Sequence, residues 1–287
     1  MGLKGRLKDR PFVFLGHRNM MVLRIALGIE YEGSGYHGWQ YQTHDVLTIQ
    51  QNLEQALSQV ACHPVRVVCA GRTDAGVHGV EQVVHFDTEV VRPMKAWVMG
   101  TNSHLPAAIR VRWSCEVPPE FHARFSAVGR CYRYFIYNHA TPSAIWHRHA
   151  YWYRRPLNAE LMHQAALYLL GEHDFSAFRA AGCQAKHARR CISSIQVSAQ
   201  SPWVVLDVQA NGFLLHMVRN IVGSLLVVGV EDQPPAWLQQ VLLSLDRRQA
   251  GVTAPPQGLY FMAAQYPSHF QLPTLAHTSA LFSPLLS

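Results

Sequence analysis

No apolar run in the 287-residue sequence reaches the roughly 18 to 20 residues needed to span a bilayer. The nearest, Phe213 to Val230, is broken by His216, Arg219 and Asn220. Met1 to Met20 is basic but lacks the continuous apolar centre and small-residue cleavage site of a secretory signal. The six cysteines, at 62, 69, 115, 131, 183 and 191, include no Cys-x-x-Cys pair and no zinc-type spacing. Together these absences point away from a membrane span and a cysteine-built metal module, and towards reduced thiols in a cytoplasmic protein. Low-complexity tracts are missing, and so is a phosphate loop: Glu32-Gly-Ser-Gly-Tyr-His-Gly38 is glycine-rich but lacks the Lys-Ser/Thr ending and a helix start directly behind it. Acidic residues are in deficit, 18 against 25 Lys and Arg, for a formal net charge of +7. That excess, much of it arginine, fits an anionic partner such as RNA. Histidine is plentiful at 17.

What is present falls into order along the chain. Residues 1–20 carry Gly, Pro and basic groups without a period and read as a flexible extension; Met20-Met21, directly before the first periodic segment, marks a possible translation start that intact mass would test. Leu23, Ile25, Leu27, Ile29 and Tyr31 alternate as a strand. Thr48 to Gln51 has capping-box form, and Ile49, Leu53, Leu57 and Val60 follow at helical spacing. Strands are expected over Val65 to Cys69 and Gln82 to Phe86, then a helix from Pro93 to about Asn102, then a strand over Ile109 to Val117. This β-α-β-β-α-β order is the ferredoxin-like arrangement.

The second half gives a similar order without repeating the sequence. A strand at Arg130 to Tyr137 leads to a helix at Leu157 to Leu170, a hairpin of Cys191 to Ala199 and Trp203 to Ala210, a helix ending at Gly229, another over Pro234 to Arg248, and a strand near Ala254 to Ala263. The expected fold is therefore α+β: two ferredoxin-like, RRM-like subdomains, residues 21–125 and 126–266, whose mostly antiparallel sheets join into one. Helices are expected on one face and an RNA cleft on the other, with residues 267–287 as a tail.

Three stretches carry possible chemistry. In Cys69-Ala-Gly-Arg-Thr-Asp74-Ala-Gly-Val-His78-Gly79 two glycines able to take positive φ bracket Arg-Thr-Asp, so a sharp turn between strands can push one carboxylate outward. An ordinary Asx turn has the same composition. In the helix before Gly229 the sole ionised residue, Arg219, stands among Leu215, Val218, Val222 and Leu225. A buried guanidinium without a partner costs several kcal/mol, so Arg219 calls for an acid, with Asp74 as one candidate and another acid or a rim position as the alternatives. In the strand at 130–137, Arg130, Tyr132, Tyr134 and Ile136 share one face and Cys131, Arg133, Phe135 and Tyr137 the other; such interleaving suits phosphate contact with base stacking, although a half-buried aromatic strand is its commoner explanation. His78, His85 and Asp87 form one weak metal-like grouping.

Several motifs in order resemble the bacterial tRNA pseudouridine synthase A family: Ile25-Ala-Leu-Gly-Ile-Glu-Tyr with Tyr36-His-Gly-Trp-Gln40, Gly71-Arg-Thr-Asp74-Ala-Gly-Val-His78, Phe121-His-Ala-Arg-Phe-Ser-Ala with Tyr132-Arg-Tyr134, and His216-Met-Val-Arg-Asn-Ile-Val-Gly223. The resemblance runs from about Leu23 to about Tyr266. It departs at Gly79, where alanine is usual, and at Tyr41, where a basic residue is common. It implies isomerisation of uridine to pseudouridine at nucleotides 38, 39 and 40 of the tRNA anticodon stem-loop, by a cytoplasmic homodimer that uses no metal or organic cofactor. Asp74 is then the nucleophile, Arg219 the basic residue paired with it, Tyr132 the tyrosine against the uracil, and Arg72 the support for the extruded nucleotide. One carboxylate suffices because a second, as in glycoside hydrolases, would activate water and destroy the product. Attack at C1′, attack at C6 and removal of a sugar proton all remain open to it. Two other readings stand beside this one: a non-catalytic tRNA-binding or folding protein on the same scaffold, and a hydrolase built on His78, His85 and Asp87.

Overall fold

A computed structural model describes residues 22–42 and 46–273. The proposed extension, the Met20-Met21 start and the end of the tail lie outside the described residues. Ten strands form one sheet: β1 Leu23–Tyr31, β2 Val68–Cys69, β3 His78–Thr88, β4 Ile109–Val117, β5 Gly129–Asn138, β6 Tyr151–Tyr153, β7 Gly171–Asp174, β8 Arg189–Gln200, β9 Trp203–Ala210 and β10 Leu259–Gln265. The helices are α1 Ile49–Ala61, α2 Met94–His104, α3 Ala159–Leu167, α4 Met217–Gly229 and α5 Ala236–Ser244. The sheet order is β4-β1-β3-β10-β5-β9-β8-β7, with β2 added to β3 and β6 to β5. The strands β4-β1-β3-β2 and β10-β5-β9-β8 thus repeat one ferredoxin-like order, as the alternation of elements predicts.

The two groups of strands meet where β10 runs parallel to β3, with Tyr260 beside His78 and Phe261 beside Gly79. A bulge in β3 sets up this seam: Ile29 pairs with Gln82, but Tyr31 pairs with Gly79. The Tyr31 ring lies over Gly79, so near that an added Cβ would fall 2.4 Å from it. This close approach leaves no room for a Cβ at position 79 unless the Tyr31 ring shifts. Tyr31 shares a face with Ile25, Leu27 and Ile29, which pack on α1 and α2. Across the seam Phe261 pairs with Tyr132, and Tyr134 and Ile136 follow on the same face of β5 beneath α4. All five described helices therefore lie on one side of the sheet.

Local signals explain most of the elements. Thr48 caps α1, accepting a hydrogen bond from the Gln51 backbone N–H, and Asn158 caps α3 in the same way through Leu161. α4 is buried on nearly every face, including Asn220 and Ser224, because α3, α5 and the sheet surround it. Four expectations need correction. Val65 to Arg66 is not in a strand, since β2 covers only Val68–Cys69; the Arg66 side chain pairs with Glu54 at 2.6 Å and the Val67 N–H donates to Glu54 Oε1 at 3.0 Å, so side-chain contacts replace the ladder. α3 ends at Leu167 and α5 at Ser244, both short of the extents expected from periodicity. The first residues after 266 are packed: Phe270 is buried and meets the Phe121 ring edge-on at 5.1 Å. The six cysteines are unpaired.

The face opposite the helices is covered at its centre. Val80, Phe135, Val205, Tyr260 and Met262 form a small cluster there with Trp203 and Ala150. Arg133 on that face is tied to Asp207 at 2.7 Å, and Arg130 on the other donates to the backbone oxygens of Ala70, Ala127 and Asn211. The cations of β5 therefore spend their donors inside the protein, which favours the structural reading of that strand over phosphate contact.

Candidate active site

Asp74 occupies the turn between β2 and β3. Gly76 takes positive φ at 79°, as a sharp turn requires, whereas Gly71 does not and is instead held flat against Phe261. The root of the turn is clamped by the buried Gln82, whose amide accepts from the Gly71 N–H at 3.2 Å and donates to the Gly71 oxygen at 2.5 Å. Thr73 is fixed on two sides. Its hydroxyl lies 2.9 Å from the Tyr31 hydroxyl, and its carbonyl accepts from the Trp39 N–H at 3.0 Å. The glycine-rich loop at 32–38 makes this contact possible: Gly38 has φ 85°, and a Cβ there would fall 2.7 Å from the Thr73 oxygen. The loop that sequence reasoning left without a role is the floor of the Asp74 turn.

The carboxylate points to the start of α4. Arg219 Nη1 stands 3.3 Å from Asp74 Oδ2, and Arg219 Nε donates to the Ala254 oxygen at 2.7 Å. His216 Nε2 approaches the same Oδ2 to 3.4 Å. Between the acid sought for Arg219 and its alternatives, the geometry selects Asp74. Both partners are shielded, with Arg219 13 % and Asp74 24 % exposed, so the attraction is screened less than in a surface pair. His216 precedes α4 with φ 59°, a left-handed conformation for a non-glycine residue. Sequence reasoning missed it, although it stands three residues before Arg219 in the same motif.

Tyr132 completes the cluster from β5. Its ring meets Phe213 edge-on at 4.9 Å and Phe261 edge-on at 5.2 Å. Burial first, then the charges of Tyr31 and Asp74, push its hydroxyl well above the usual phenol range. The hydroxyl has no hydrogen-bond partner among the described residues, which leaves it free for a ligand. Arg72, by contrast, is exposed and makes no hydrogen bond or ion pair among the described residues. The structure thus brings Asp74, Arg219 and Tyr132 together at the seam on the helix-bearing side of the sheet, not on the opposite face where the cleft was expected. Arg72 stands at the rim.

The metal-like grouping does not form, because His85 and Asp87 are engaged elsewhere. His85 Nδ1 accepts from the Ala123 N–H at 3.1 Å, and Asp87 pairs with Arg24 at 2.7 Å. His78 lies instead near Glu32 and His149, a set with metal-ligand spacing. Its Nδ1 accepts from the Gly33 N–H at 3.1 Å, and its Nε2 faces the Arg148 oxygen at 3.0 Å, so both ring nitrogens already serve the fold. His78 is a joint residue, stacked on Tyr260 at 4.5 Å across the seam.

Known proteins resemble this chain over most of its length. The family model described as tRNA pseudouridine synthase matches residues 28–126 and 165–267. The tRNA pseudouridine synthase A of Alcanivorax borkumensis is 53% identical over 252 residues, which cover 88% of this chain and 94% of the relative. That of Hydrogenovibrio crunogenus is 55% identical over 249 residues, 87% and 95% of the two chains. That of Salmonella typhimurium is 52% identical over 258 residues, 90% and 95%. The chain belongs to the tRNA pseudouridine synthase family.

Proposed function

We propose that this protein converts uridine to pseudouridine in tRNA, at positions 38, 39 and 40 of the anticodon stem-loop, with Asp74 as the nucleophile. The observation that carries the reading is a single carboxylate, presented on a clamped turn, facing two basic side chains from the start of a buried helix. In the reaction the N1–C1′ bond breaks, the uracil turns, a C5–C1′ bond forms, the C5 proton leaves and N1 takes up a proton, so that product and substrate are isomers. No water is consumed, and among the described residues no second carboxylate contacts Asp74, Arg219 or Tyr132 to activate one. Arg219 aims the Asp74 carboxylate from 3.3 Å, and Tyr132 meets the uracil as a neutral hydrogen-bond donor, as its raised pKa requires. Arg72 at the rim supports the extruded nucleotide.

We further infer that residues 21–125 and 126–266 are two subdomains, since the site draws Asp74 from the first and Tyr132, His216 and Arg219 from the second. The active form is a cytoplasmic homodimer with one tRNA across both subunits. Unmodified tRNA transcripts incubated with the protein and mapped for pseudouridine test the reading. Modification at 38, 39 and 40, undiminished by EDTA, is expected; a bound but unmodified tRNA supports the non-catalytic alternative, and loss of activity in EDTA supports a metal-dependent one.

A further inference from the structure

Phe125 is 75% exposed, more than any other Phe, Trp or Tyr among the described residues, on a segment between β4 and β5 that is anything but loose. Arg24 donates to the Phe121 oxygen at 2.8 Å, and the Tyr266 hydroxyl donates to the Ala123 oxygen at 2.6 Å. His85 Nδ1 accepts from the Ala123 N–H at 3.1 Å, and His122 Nδ1 accepts from the Arg124 and Phe125 N–H groups at 3.2 and 3.1 Å. Arg130 donates to the Arg124 and Ala127 oxygens from the other side. A turn fixed by four side chains from outside it and by its own His122 holds an aromatic ring in solvent, where burial would otherwise stabilise it.

Position gives the exposure a use. The same Arg130 guanidinium donates to the oxygen of Ala70, which leads into the Asp74 turn, and to that of Asn211, two residues before the Phe213 that packs on Tyr132. One cation therefore ties the Phe125 turn to both walls of the reactive cluster. The His122 imidazole stacks on the Phe125 ring at 4.3 Å, and the Arg124 guanidinium lies 5.7 Å from its centre. An exposed aromatic ring backed by an imidazole, with a guanidinium over it, matches a nucleobase, which stacks with the aromatic group while its phosphate meets the charge.

We propose that Phe125 is a positioning residue that stacks on a base of the bound RNA adjacent to the extruded uridine, holding the strand open while Asp74 reacts. This rests on the isomerase reading above. The test compares wild type, Phe125→Ala and Phe125→Trp on an anticodon-arm RNA carrying 2-aminopurine beside the target uridine. Because the side chain is exposed, neither substitution should move the melting temperature. Phe125→Ala should lower kcat/KM by roughly 5- to 150-fold, the range that loss of one base–aromatic stack spans, and Phe125→Trp should restore most of it. The 2-aminopurine should be quenched in the wild-type complex and bright in the Phe125→Ala complex. Equal emission from both complexes, or a loss that Trp does not repair, overturns the stacking role. A wild type that binds the RNA but forms no pseudouridine overturns the isomerase reading instead, and the emission comparison then decides the stacking role alone.

Discussion

At the scale of single residues, the site rests on an acid that has two basic partners and a base that has few alternatives. Arg219→Met leaves Asp74 Oδ2 with only His216 among the described residues and strips the Ala254 oxygen of its Nε donor. Loss of those partners in a shielded setting should cost about 1–3 kcal/mol, read as a lower melting temperature, together with a fall in kcat. A variant that melts and reacts like wild type would mean that the pair is idle. His216→Asn keeps a residue that tolerates the left-handed conformation and removes the imidazole beside Asp74, so kcat should fall while the melting temperature holds. Residue-level chemistry was partly legible in the sequence. Arg219 announced itself as a lone cation in an apolar helix, and Asp74 as a carboxylate between glycines. His216 did not, because a histidine at a helix start carries no signal until its backbone conformation and its neighbour across the fold are known.

At the scale of elements, support for the Asp74 turn comes from segments distant in sequence. Gly38→Ala forces a Cβ to 2.7 Å from the Thr73 oxygen and a side chain into positive φ, so about 1–3 kcal/mol of destabilisation is expected, measured by denaturant titration. An unchanged midpoint would show that the glycine loop is not the floor of the site. Strands with strict alternation, such as β1 and β4, and helices with a cap and an apolar stripe, such as α1, were readable within a residue or two, because their period is imposed by one buried face. The C-terminal ends of α3 and α5 and the absence of a ladder at Val65 were not. A helix stops where its neighbours stop burying it, and a strand needs a partner; neither condition is local. The interleaved Arg and Tyr of β5 left two readings open for the same reason, since Arg130 and Arg133 find carbonyls and Asp207 only after folding.

At the scale of the whole molecule, several histidines accept from backbone N–H groups, among them His78 from Gly33, His85 from Ala123 and His122 from Arg124 and Phe125. Burial lowers the pKa of these three; for His85, with Arg24 and His122 adding to burial and Asp87 opposing, it falls from 6.5 to about 4. A base with a depressed pKa binds fewer protons folded than unfolded between those two values, so stability is full above about pH 6.5 and declines as the pH falls towards 4. Melting temperatures across that range should show the decline, with a shallower slope in His85→Gln; a flat profile would contradict it. The excess of cations predicts that tRNA affinity falls steeply with salt, and an affinity independent of salt would argue against phosphate contact. The seam between β3 and β10, which no sequence period encodes, is what brings these parts together around one carboxylate. The most direct measurement of the central claim is tritium release from [5-³H]uridine-labelled tRNA by wild type and by Asp74→Asn: the wild type should release tritium and the folded variant none, whereas normal release by Asp74→Asn would remove Asp74 as the nucleophile.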